Sequence, residues 1–524
     1  MDAEIPSTIP AALRRAVARW PNEVAVVEAG RRVTWTELAD RATAVARALI
    51  GSGVSPGDRV GLWAPNSTEW IVASMGVYAA GAILAPVNTR FTGAEGAQAL
   101  RTAGARTLIT VTDFLDTDYV QALAVDPELL GSLDVVIMSG EPGKHIGWGE
   151  FLARGAGVDH TDAERNLTAD DPSDVIFTSG TTGRPKGALL THGASTRTYT
   201  AWSDAVGLRH GDRYLVVYPF FHCAGLKSAV LACVLRGATL VPCPVFAVDT
   251  VMRLVQEECV TMLPGPPALY QSLLNADLSG YDRSSLRLAV TGAAAVPVEL
   301  VRRMRDELGF GSVVTAYGLT ETHGTVTACR YDDPIEVIAN TSGRPIPGME
   351  VRIVDRDGTD IGPGEPGEVL ARGFAVMRGY YGDPEATAAA IDADGWLRTG
   401  DIGVLDAAGN LRITDRIKDM FIVGGFNAYP AEIENTMLGH PGIAAVAVVG
   451  APDERLGEVG YAFVVPRVGV AVSPDEVLGW CRGRMANYKV PRYAEVVDAL
   501  PLNRTGKVEK IRLRARAAAA VEKP

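Results

Sequence analysis

A loop rich in glycine and hydroxyl side chains, placed directly after a short apolar run, most restricts the fold of this chain. Val175-Ile-Phe177 is partly β-branched and too short for a helix, so it predicts a buried strand that leads into the loop. The loop glycines Gly180, Gly183 and Gly187 allow the left-handed backbone that points successive N–H groups at one anion. The loop therefore has the composition of a phosphate-binding element.

Two cations, Arg184 and Lys186, add positive charge to this loop, but the spacing differs from that of a Walker loop. A polar surface turn between a strand and a helix is the simpler alternative for such a stretch. The residues that we predict to hold phosphate are Thr178, Ser179, Gly180, Thr181, Thr182, Gly183 and Lys186.

Length and charge limit the class of protein. A chain of 524 residues exceeds the usual size of a single core, so two or more domains are expected. The net charge of −12 argues against nucleic acid or an anionic membrane as the main partner. The sequence has no signal-peptide pattern at its start and no apolar run long enough for a membrane span, so we expect a cytoplasmic protein without integral membrane association. The six cysteines lack a Cys-x-x-Cys pair, which argues against a zinc site or a disulfide framework and favours reduced core or pocket residues.

Local signals mark several elements. Thr34 and Glu37 have the spacing of a capping box, as do Ser473 and Glu476 around Pro474, so a helix is predicted to begin at each place. Between residues 350 and 416, short alternating strands punctuated by glycine and proline predict a small β-barrel.

A second motif, Thr315-Ala-Tyr-Gly-Leu-Thr-Glu-Thr322, combines an aromatic face with oxygen ligands. Tyr317 offers the ring, Gly318 permits close approach, and Thr320 and Glu321 offer the hard oxygen atoms that Mg²⁺ prefers. A strand followed by a helix N-cap is the structural alternative for this stretch.

These motifs, with Arg504-Thr-Gly-Lys507 near the end of the chain, resemble the signature elements of the adenylate-forming superfamily in its acyl-CoA synthetase branch. The resemblance extends over nearly the whole chain, and within the branch the sequence looks most similar to actinobacterial fatty-acid and steroid-fragment CoA ligases. It implies an α/β fold, with a large N-terminal domain of layered α/β subdomains plus a small β-barrel at residues 1–415. A small, mobile α+β C-terminal domain would follow at residues 416–524.

The resemblance also implies roles for individual residues. Tyr317 and Gly318 would lie against adenine together with the turn Gly292, Ala293 and Ala294, and Asp401 and Arg416 would bind ribose. Thr320 would contact the α-phosphate and Glu321 would hold Mg²⁺. Lys418 would be the hinge, Gly424 and Gly425 would line the coenzyme A tunnel, and Lys507 would be the catalytic lysine. ATP, Mg²⁺ and coenzyme A are the implied cofactors; a homodimer is left open.

The stretch Tyr214–His222 predicts a strand that delivers aromatic side chains and one histidine to its end, and the resemblance places that end at the acid-binding pocket. By resemblance, the pocket residues are His222, Cys223, Gly225, Leu226 and Lys227, and His222 is also a catalytic candidate. From the residues alone, Lys227 in an apolar helix is expected to extend its ammonium to water, and a polar pocket end is the alternative. Phe221-His222-Cys223 lacks the carboxylate with which amino-acid-activating relatives bind an ammonium group.

The expected reaction is ATP-dependent activation of a carboxylic acid to acyl-AMP, followed by transfer to coenzyme A. A medium-chain fatty acid is the first expectation for the substrate, and a bulky alicyclic, steroid-derived propanoate is the second. Three alternatives remain: a ligase that loads a carrier protein, a luciferase-like oxygenase, and a non-catalytic nucleotide-binding protein. The last would be expected to lack Lys507 or Glu321, and both are present.

Lys507→Ala is expected to abolish adenylation while conversion of supplied acyl adenylate to thioester continues, because the lysine is assigned to the first step alone. Separate assays of the two half-reactions measure this. Equal loss of both would contradict the role.

Lys418→Pro is expected to give the reverse pattern, because proline restricts the φ angle of the hinge residue. Adenylation should continue and thioester formation should fall in the same two assays. Normal thioester formation would place the hinge elsewhere.

Overall fold

The computed structural model describes residues 5–178, 185–292, 296, 298–355, 357–416, 419–423, 426–453, 456–482, 484–485, 487–503 and 507–521. The backbone divides into two compact units. Unit 1 comprises Met1–Ala294, Glu299–Glu350 and Ala371–Leu397, and unit 2 comprises Ala295–Val298, Val351–Leu370 and Arg398–Pro524. A domain boundary between residues 415 and 416 stays a prediction.

The strands, in chain order, are β1 (Val24–Glu28), β2 (Arg31–Thr34), β3 (Arg59–Trp63), β4 (Ile83–Pro86), β5 (Thr107–Val111), β6 (Asp134–Ser139), β7 (Ile146–Gly147), β8 (Pro172–Thr178), β9 (Lys186–Thr191), β10 (Arg213–Val216), β11 (Thr239–Pro242), β12 (Leu288–Gly292), β13 (Ser312–Tyr317), β14 (Thr327–Ala328), β15 (Arg344–Pro345), β16 (Met349–Val354), β17 (Gly367–Gly373), β18 (Gly379–Tyr380), β19 (Leu397–Leu405), β20 (Leu411–Arg416), β21 (Phe421–Val423), β22 (Phe426–Ala428), β23 (Ile443–Asp453), β24 (Gly457–Pro466) and β25 (Tyr493–Val496).

The α-helices are α1 (Ile9–Arg19), α2 (Trp35–Gly51), α3 (Thr68–Ala79), α4 (Gly93–Ala103), α5 (Tyr119–Ala122), α6 (Pro127–Ser132), α7 (Trp148–Ala153), α8 (Thr161–Arg165), α9 (His192–Val206), α10 (Cys223–Gly225), α11 (Ala232–Arg236), α12 (Val248–Glu257), α13 (Pro267–Leu274), α14 (Val298–Asp306), α15 (Ile335–Asn340), α16 (Pro384–Ala390), α17 (Pro430–Met437), α18 (Pro474–Cys481) and α19 (Lys510–Val521). A π-helix (Leu226–Leu231) joins α10 to α11, and short 3₁₀ turns lie at Leu123–Val125, Thr320–Thr322 and Asn487–Lys489.

The largest sheet of unit 1 has eight strands among the described residues, in the order β18-β9-β8-β4-β3-β5-β6-β7. From β8 to β7 the neighbouring strands are parallel, whereas β9 is antiparallel to both β8 and β18. Helices α3 and α4 make the crossovers between successive parallel strands, so strands such as β5 are buried, continuous apolar runs. The parallel core thus ends in an antiparallel hairpin, and the glycine-rich loop joins the two strands of that hairpin.

Two further sheets of unit 1 have the orders β10-β11-β1-β2 and β12-β13-β14-β15. Large aromatic side chains, including Trp35, Trp63, Trp70 and Tyr78, are fully buried in this unit. The predicted strand 214–222 is shorter than expected, because only Arg213–Val216 is extended and paired.

Unit 2 contains a sheet in the order β22-β21-β24-β23, with β25 parallel to β24. One face packs on α17 and α18 through residues such as Ile433 and Val477, and the other packs on α19 through Leu513 and Ala517. A second sheet, β16-β17-β19-β20, lies mostly in this unit and occupies the segment where the sequence predicts a small β-barrel. The predicted fold class, layered α/β subdomains followed by a smaller α+β region, is confirmed.

The local helix signals are confirmed by hydrogen bonds. Thr34 and Ser473 each accept from the N3 backbone N–H and complete a capping box, with Glu37 and Glu476 as the reciprocal partners. Of the cysteines, Cys259 is exposed, which corrects the expectation that all are core or pocket residues. Within the described ranges no helix has the length and apolar character needed to span a membrane.

Candidate active site

The β8/β9 hairpin forms the base of the predicted phosphate loop. The strands pair in antiparallel register up to Thr178 and Lys186, which are the last pair before the loop. Lys186 and Gly187 therefore lie in β9, which corrects their assignment to the loop itself. The other predicted phosphate-binding residues, Ser179, Gly180, Thr181, Thr182 and Gly183, lie outside the described residues, as does Arg184.

Gly187 has a different role from the one expected. Its φ is not positive, and a Cβ at this position would lie 2.5 Å from the Cγ1 atom of Val175 on the paired strand. The glycine is required because the two strands pack closely, and not because the chain turns there.

Tyr380 connects the hairpin to the predicted magnesium ligand. Its hydroxyl donates a hydrogen bond of 2.8 Å to Oε1 of Glu321, and the Lys186 ammonium lies 4.9 Å from the centre of its ring. Burial, reinforced by the Glu321 charge, raises the pKa of the Tyr380 hydroxyl. At neutral pH the hydroxyl is therefore protonated and acts as a donor. Sequence reasoning missed Tyr380, because Gly379-Tyr-Tyr-Gly382 reads as an ordinary turn.

The second motif begins as β13 and ends in the 3₁₀ turn that carries Thr320 and Glu321. The parallel pairing of β12 with β13 aligns Gly292 with Ala316, so the two elements predicted to contact adenine end side by side. A Cβ at Gly292 would lie 2.8 Å from the Ala316 carbonyl oxygen, and one at Gly318 would lie 2.4 Å from that of Gly324. Ala293 and Ala294 lie outside the described residues.

His323 fixes the turn after Glu321. It adopts a left-handed backbone with φ of 55°, which is uncommon for a residue with a side chain. Its Nε2 accepts from the Thr191 N–H at 3.1 Å, and its Nδ1 lies 2.7 Å from the Ala375 carbonyl oxygen, which assigns the proton to Nδ1. Burial lowers the pKa of His323 to about 4, so the ring is neutral. This histidine joins the end of β9 to the turn that carries Glu321.

The predicted acid-pocket residues divide between surface and core. The His222 side chain is exposed and caps α10, with Nδ1 accepting from the Ala224 N–H at 3.1 Å. Cys223 is buried and hydrogen-bonds to Thr320, and burial raises the pKa of its thiol to about 12. A Cβ at Gly225 would lie 2.1 Å from the Pro219 carbonyl oxygen, and Leu226 is buried. Thr320 and the start of the pocket helix are thus neighbours.

Lys227 corrects the expectation that its ammonium reaches water. Its side chain has no exposed surface and forms an ion pair with Asp174 of β8, whose side chain is equally buried. The Tyr78 hydroxyl donates a hydrogen bond of 2.6 Å to the other Asp174 oxygen, and the Tyr78 ring packs edge-on against His192. Burial lowers the pKa of His192 to about 4. One signal of this pair was overlooked in the sequence, namely a carboxylate near the start of an apolar strand.

In unit 2, the cross-strand register of β19 and β20 pairs Asp401 with Arg416, the two residues assigned to ribose. Asp401 is buried. Lys507 is exposed, and its backbone N–H donates to Oδ1 of Asn503 at 2.9 Å. Lys418, Gly424 and Gly425 lie outside the described residues.

A glycine-rich hairpin next to a Tyr-Gly-x-Thr-Glu turn is the arrangement of an adenylate-forming enzyme. The chain belongs to the AMP-binding enzyme family: residues 13–381 match that family, and residues 432–507 match the AMP-binding enzyme C-terminal domain.

Comparison of this chain with similar proteins indicates its type of enzyme within the family. It is 46% identical to a 3-[(3aS,4S,7aS)-7a-methyl-1,5-dioxo-octahydro-1H-inden-4-yl]propanoyl:CoA ligase of Rhodococcus jostii (strain RHA1), over 98% of this chain and 99% of that protein. It is 48% identical to a ligase of the same name from Mycobacterium tuberculosis, over 97% and 98% of the two chains. The crystal structure of ATP-bound MatB from Rhodopseudomonas palustris superimposes with a TM-score of 0.87 at 29% identity, covering 98% of this chain and 99% of that one.

The predicted activity is therefore confirmed: the protein is an AMP-forming acid–CoA ligase that uses ATP, coenzyme A and a carboxylic acid. The non-catalytic alternative is excluded by this assignment. The residue roles that the resemblance implies stay predictions, and the structure now gives positions for those residues that lie in the described ranges.

Lys227→Met leaves the Asp174 carboxylate buried without its counter-ion. Removing one partner of a buried ion pair costs about 3–5 kcal/mol, so we expect a clear loss of stability in equilibrium urea denaturation followed by circular dichroism. The matched control is the double variant Lys227→Met/Asp174→Asn, which removes both charges and keeps an oxygen for the Tyr78 hydroxyl. It should recover most of the loss. A single variant as stable as the wild type would contradict the buried pair.

Proposed function

We propose that the substrate of this ligase is a propanoate attached to a bulky alicyclic ring system of the steroid-fragment type. The observation that carries the proposal is the pair of relatives at 46% and 48% identity, both named as ligases of such a propanoate and both matched over nearly their whole length. The straight medium-chain fatty acid, expected first from the sequence, is the second candidate.

The proposed first step joins the acid to AMP. A carboxylate oxygen attacks the α-phosphorus of ATP, the bond to the β-phosphate oxygen breaks, and pyrophosphate leaves. Catalysis of this type depends on positioning and on neutralising charge. We assign the β- and γ-phosphates to the hairpin loop and Lys186, the α-phosphate to Thr320, and the carboxylate to the Lys507 ammonium.

The residues present suit Mg²⁺. This ion prefers one or two carboxylates together with phosphate and water oxygens over a cage made by protein alone. Glu321 supplies a carboxylate held by Tyr380, and the described part of the chain has no cluster of three or more His, Cys, Asp or Glu that would form such a cage. When bound, Mg²⁺ would neutralise phosphate charge.

The proposed second step transfers the acyl group to coenzyme A. The thiol sulfur attacks the acyl carbon, the bond from that carbon to the AMP oxygen breaks, and AMP leaves as the thioester forms. Gly424 and Gly425 are assigned to the path of the thiol arm, and Lys418 is assigned to the hinge that separates the two steps.

Pyrophosphate release tests the substrate assignment. The enzyme is assayed with coenzyme A against straight acids of graded length and against propanoates on one and two fused rings. We expect kcat/KM for the bicyclic propanoate to exceed that of the best straight acid by at least about 10-fold, since even one methylene in an apolar pocket is worth about 10–200-fold.

A straight acid that equals or exceeds the ring compounds would favour the second candidate instead. The same assay with a holo carrier protein in place of coenzyme A tests the alternative of a ligase that loads a carrier protein. Thioester formed on the carrier and absent with coenzyme A would contradict the assigned acceptor.

A further inference from the structure

Tyr380 has a backbone position that the surrounding structure fixes closely. It lies on the short edge strand β18, opposite Ala188 of β9. Its backbone N–H donates to Oγ1 of Thr387 at 2.9 Å. The preceding Gly379 has φ of +146°, and a Cβ there would lie 2.7 Å from the Cγ2 atom of Thr387. The backbone at Tyr380 is therefore held in place by strand pairing and by its contacts with Thr387.

The short segment from Met377 to Tyr380 makes two hydrogen bonds to Glu321. The Met377 N–H donates to the Glu321 carbonyl oxygen at 2.7 Å, and the Tyr380 hydroxyl donates to the Glu321 side chain at Oε1 at 2.8 Å. The first bond fixes the backbone of this residue and the second selects the direction of its carboxylate.

The ring of Tyr380 contacts a second charged group, the ammonium of Lys186. The Lys186 ammonium lies 4.9 Å from the ring centre, within the range where a cation is attracted to the face of an aromatic ring. One side chain therefore contacts both Lys186, assigned to phosphate, and Glu321, assigned to Mg²⁺. The hydroxyl and the ring make these contacts separately.

We propose that Tyr380 is a positioning residue for adenylation, which holds the Glu321 carboxylate and the Lys186 ammonium in one frame around the magnesium–triphosphate group. This inference rests on the roles proposed above for Glu321 and Lys186. Tyr380 acts through these two residues and has no role of its own in bond making or breaking.

Tyr380→Phe in the full-length enzyme removes the hydroxyl and keeps the ring. We expect the Mg²⁺ concentration for half-maximal adenylation, measured by pyrophosphate exchange, to rise about 10-fold, as is usual when a group that orients a metal ligand is lost. MgATP binding measured by calorimetry should weaken by a similar factor. Thioester formation from supplied acyl adenylate should not change.

The matched control is Tyr381→Phe. Tyr381 is also half-buried, its backbone N–H donates to the Gly187 carbonyl oxygen at 2.7 Å, and its ring lies 5.8 Å from the Arg59 guanidinium carbon. The substitution keeps the backbone bond and the ring, so the Mg²⁺ dependence should equal that of the wild type.

A double-mutant cycle separates positioning from a general structural effect. If Tyr380 acts through Glu321, Tyr380→Phe/Glu321→Gln should be no worse in adenylation than Glu321→Gln alone. Additive losses, or equal loss of both half-reactions in Tyr380→Phe, would overturn the inference. Normal Mg²⁺ dependence in Tyr380→Phe with an impaired Glu321→Gln would also overturn it and leave the proposed function intact. Normal adenylation in Glu321→Gln would instead refute the proposed magnesium ligand and, with it, this inference.

Discussion

The buried ion pair between Asp174 and Lys227 connects the strand before the predicted phosphate loop to the helix of the predicted acid pocket, both in unit 1. Asp174 lies in β8, the strand that leads into the glycine-rich loop, and Lys227 lies in the π-helix that contains the last two predicted acid-pocket residues. Two charges removed from water gain little net stability even when paired, and breaking the pair is costly. Any movement of the loop strand against the pocket helix that separates the two charges is therefore disfavoured.

A second set of contacts holds the opposite side of the same hairpin. His323 bonds to the end of β9, and Tyr380 contacts Lys186 at its beginning, while both residues belong to or contact the turn that carries Glu321. Strand β9 is thus held at each end by residues that belong to or contact the turn that carries Glu321. These contacts join the β8/β9 hairpin to the Thr-Glu turn, although more than a hundred residues separate them in sequence.

The sequence predicted the positions of helices and strands better than the contacts between distant side chains. Capping boxes at Thr34 and Ser473 involve residues a few positions apart, so local spacing suffices to find them. The motif around Glu321 was recognisable because it resembles a signature of the family over consecutive residues. Tyr380 and Asp174 were missed because their roles depend on contacts with residues that are distant in the sequence. Lys227 was misjudged because an isolated lysine ordinarily keeps its charge in water. Lys186 shows that the ends of strands are hard to predict from sequence. It was assigned to the loop, but it is the first residue of β9.

Two glycines, Gly292 at the end of β12 and Gly318 in the second motif, bear on how sequence motifs should be compared between proteins. At Gly292 and Gly318, the atoms that exclude a side chain belong to the protein's own backbone, at Ala316 and Gly324. A descendant of this fold that had lost its chemistry would still need both glycines in order to fold. Their presence in another chain is evidence of shared architecture alone, and the functional side chains around them must be used to decide whether that chain is still an enzyme.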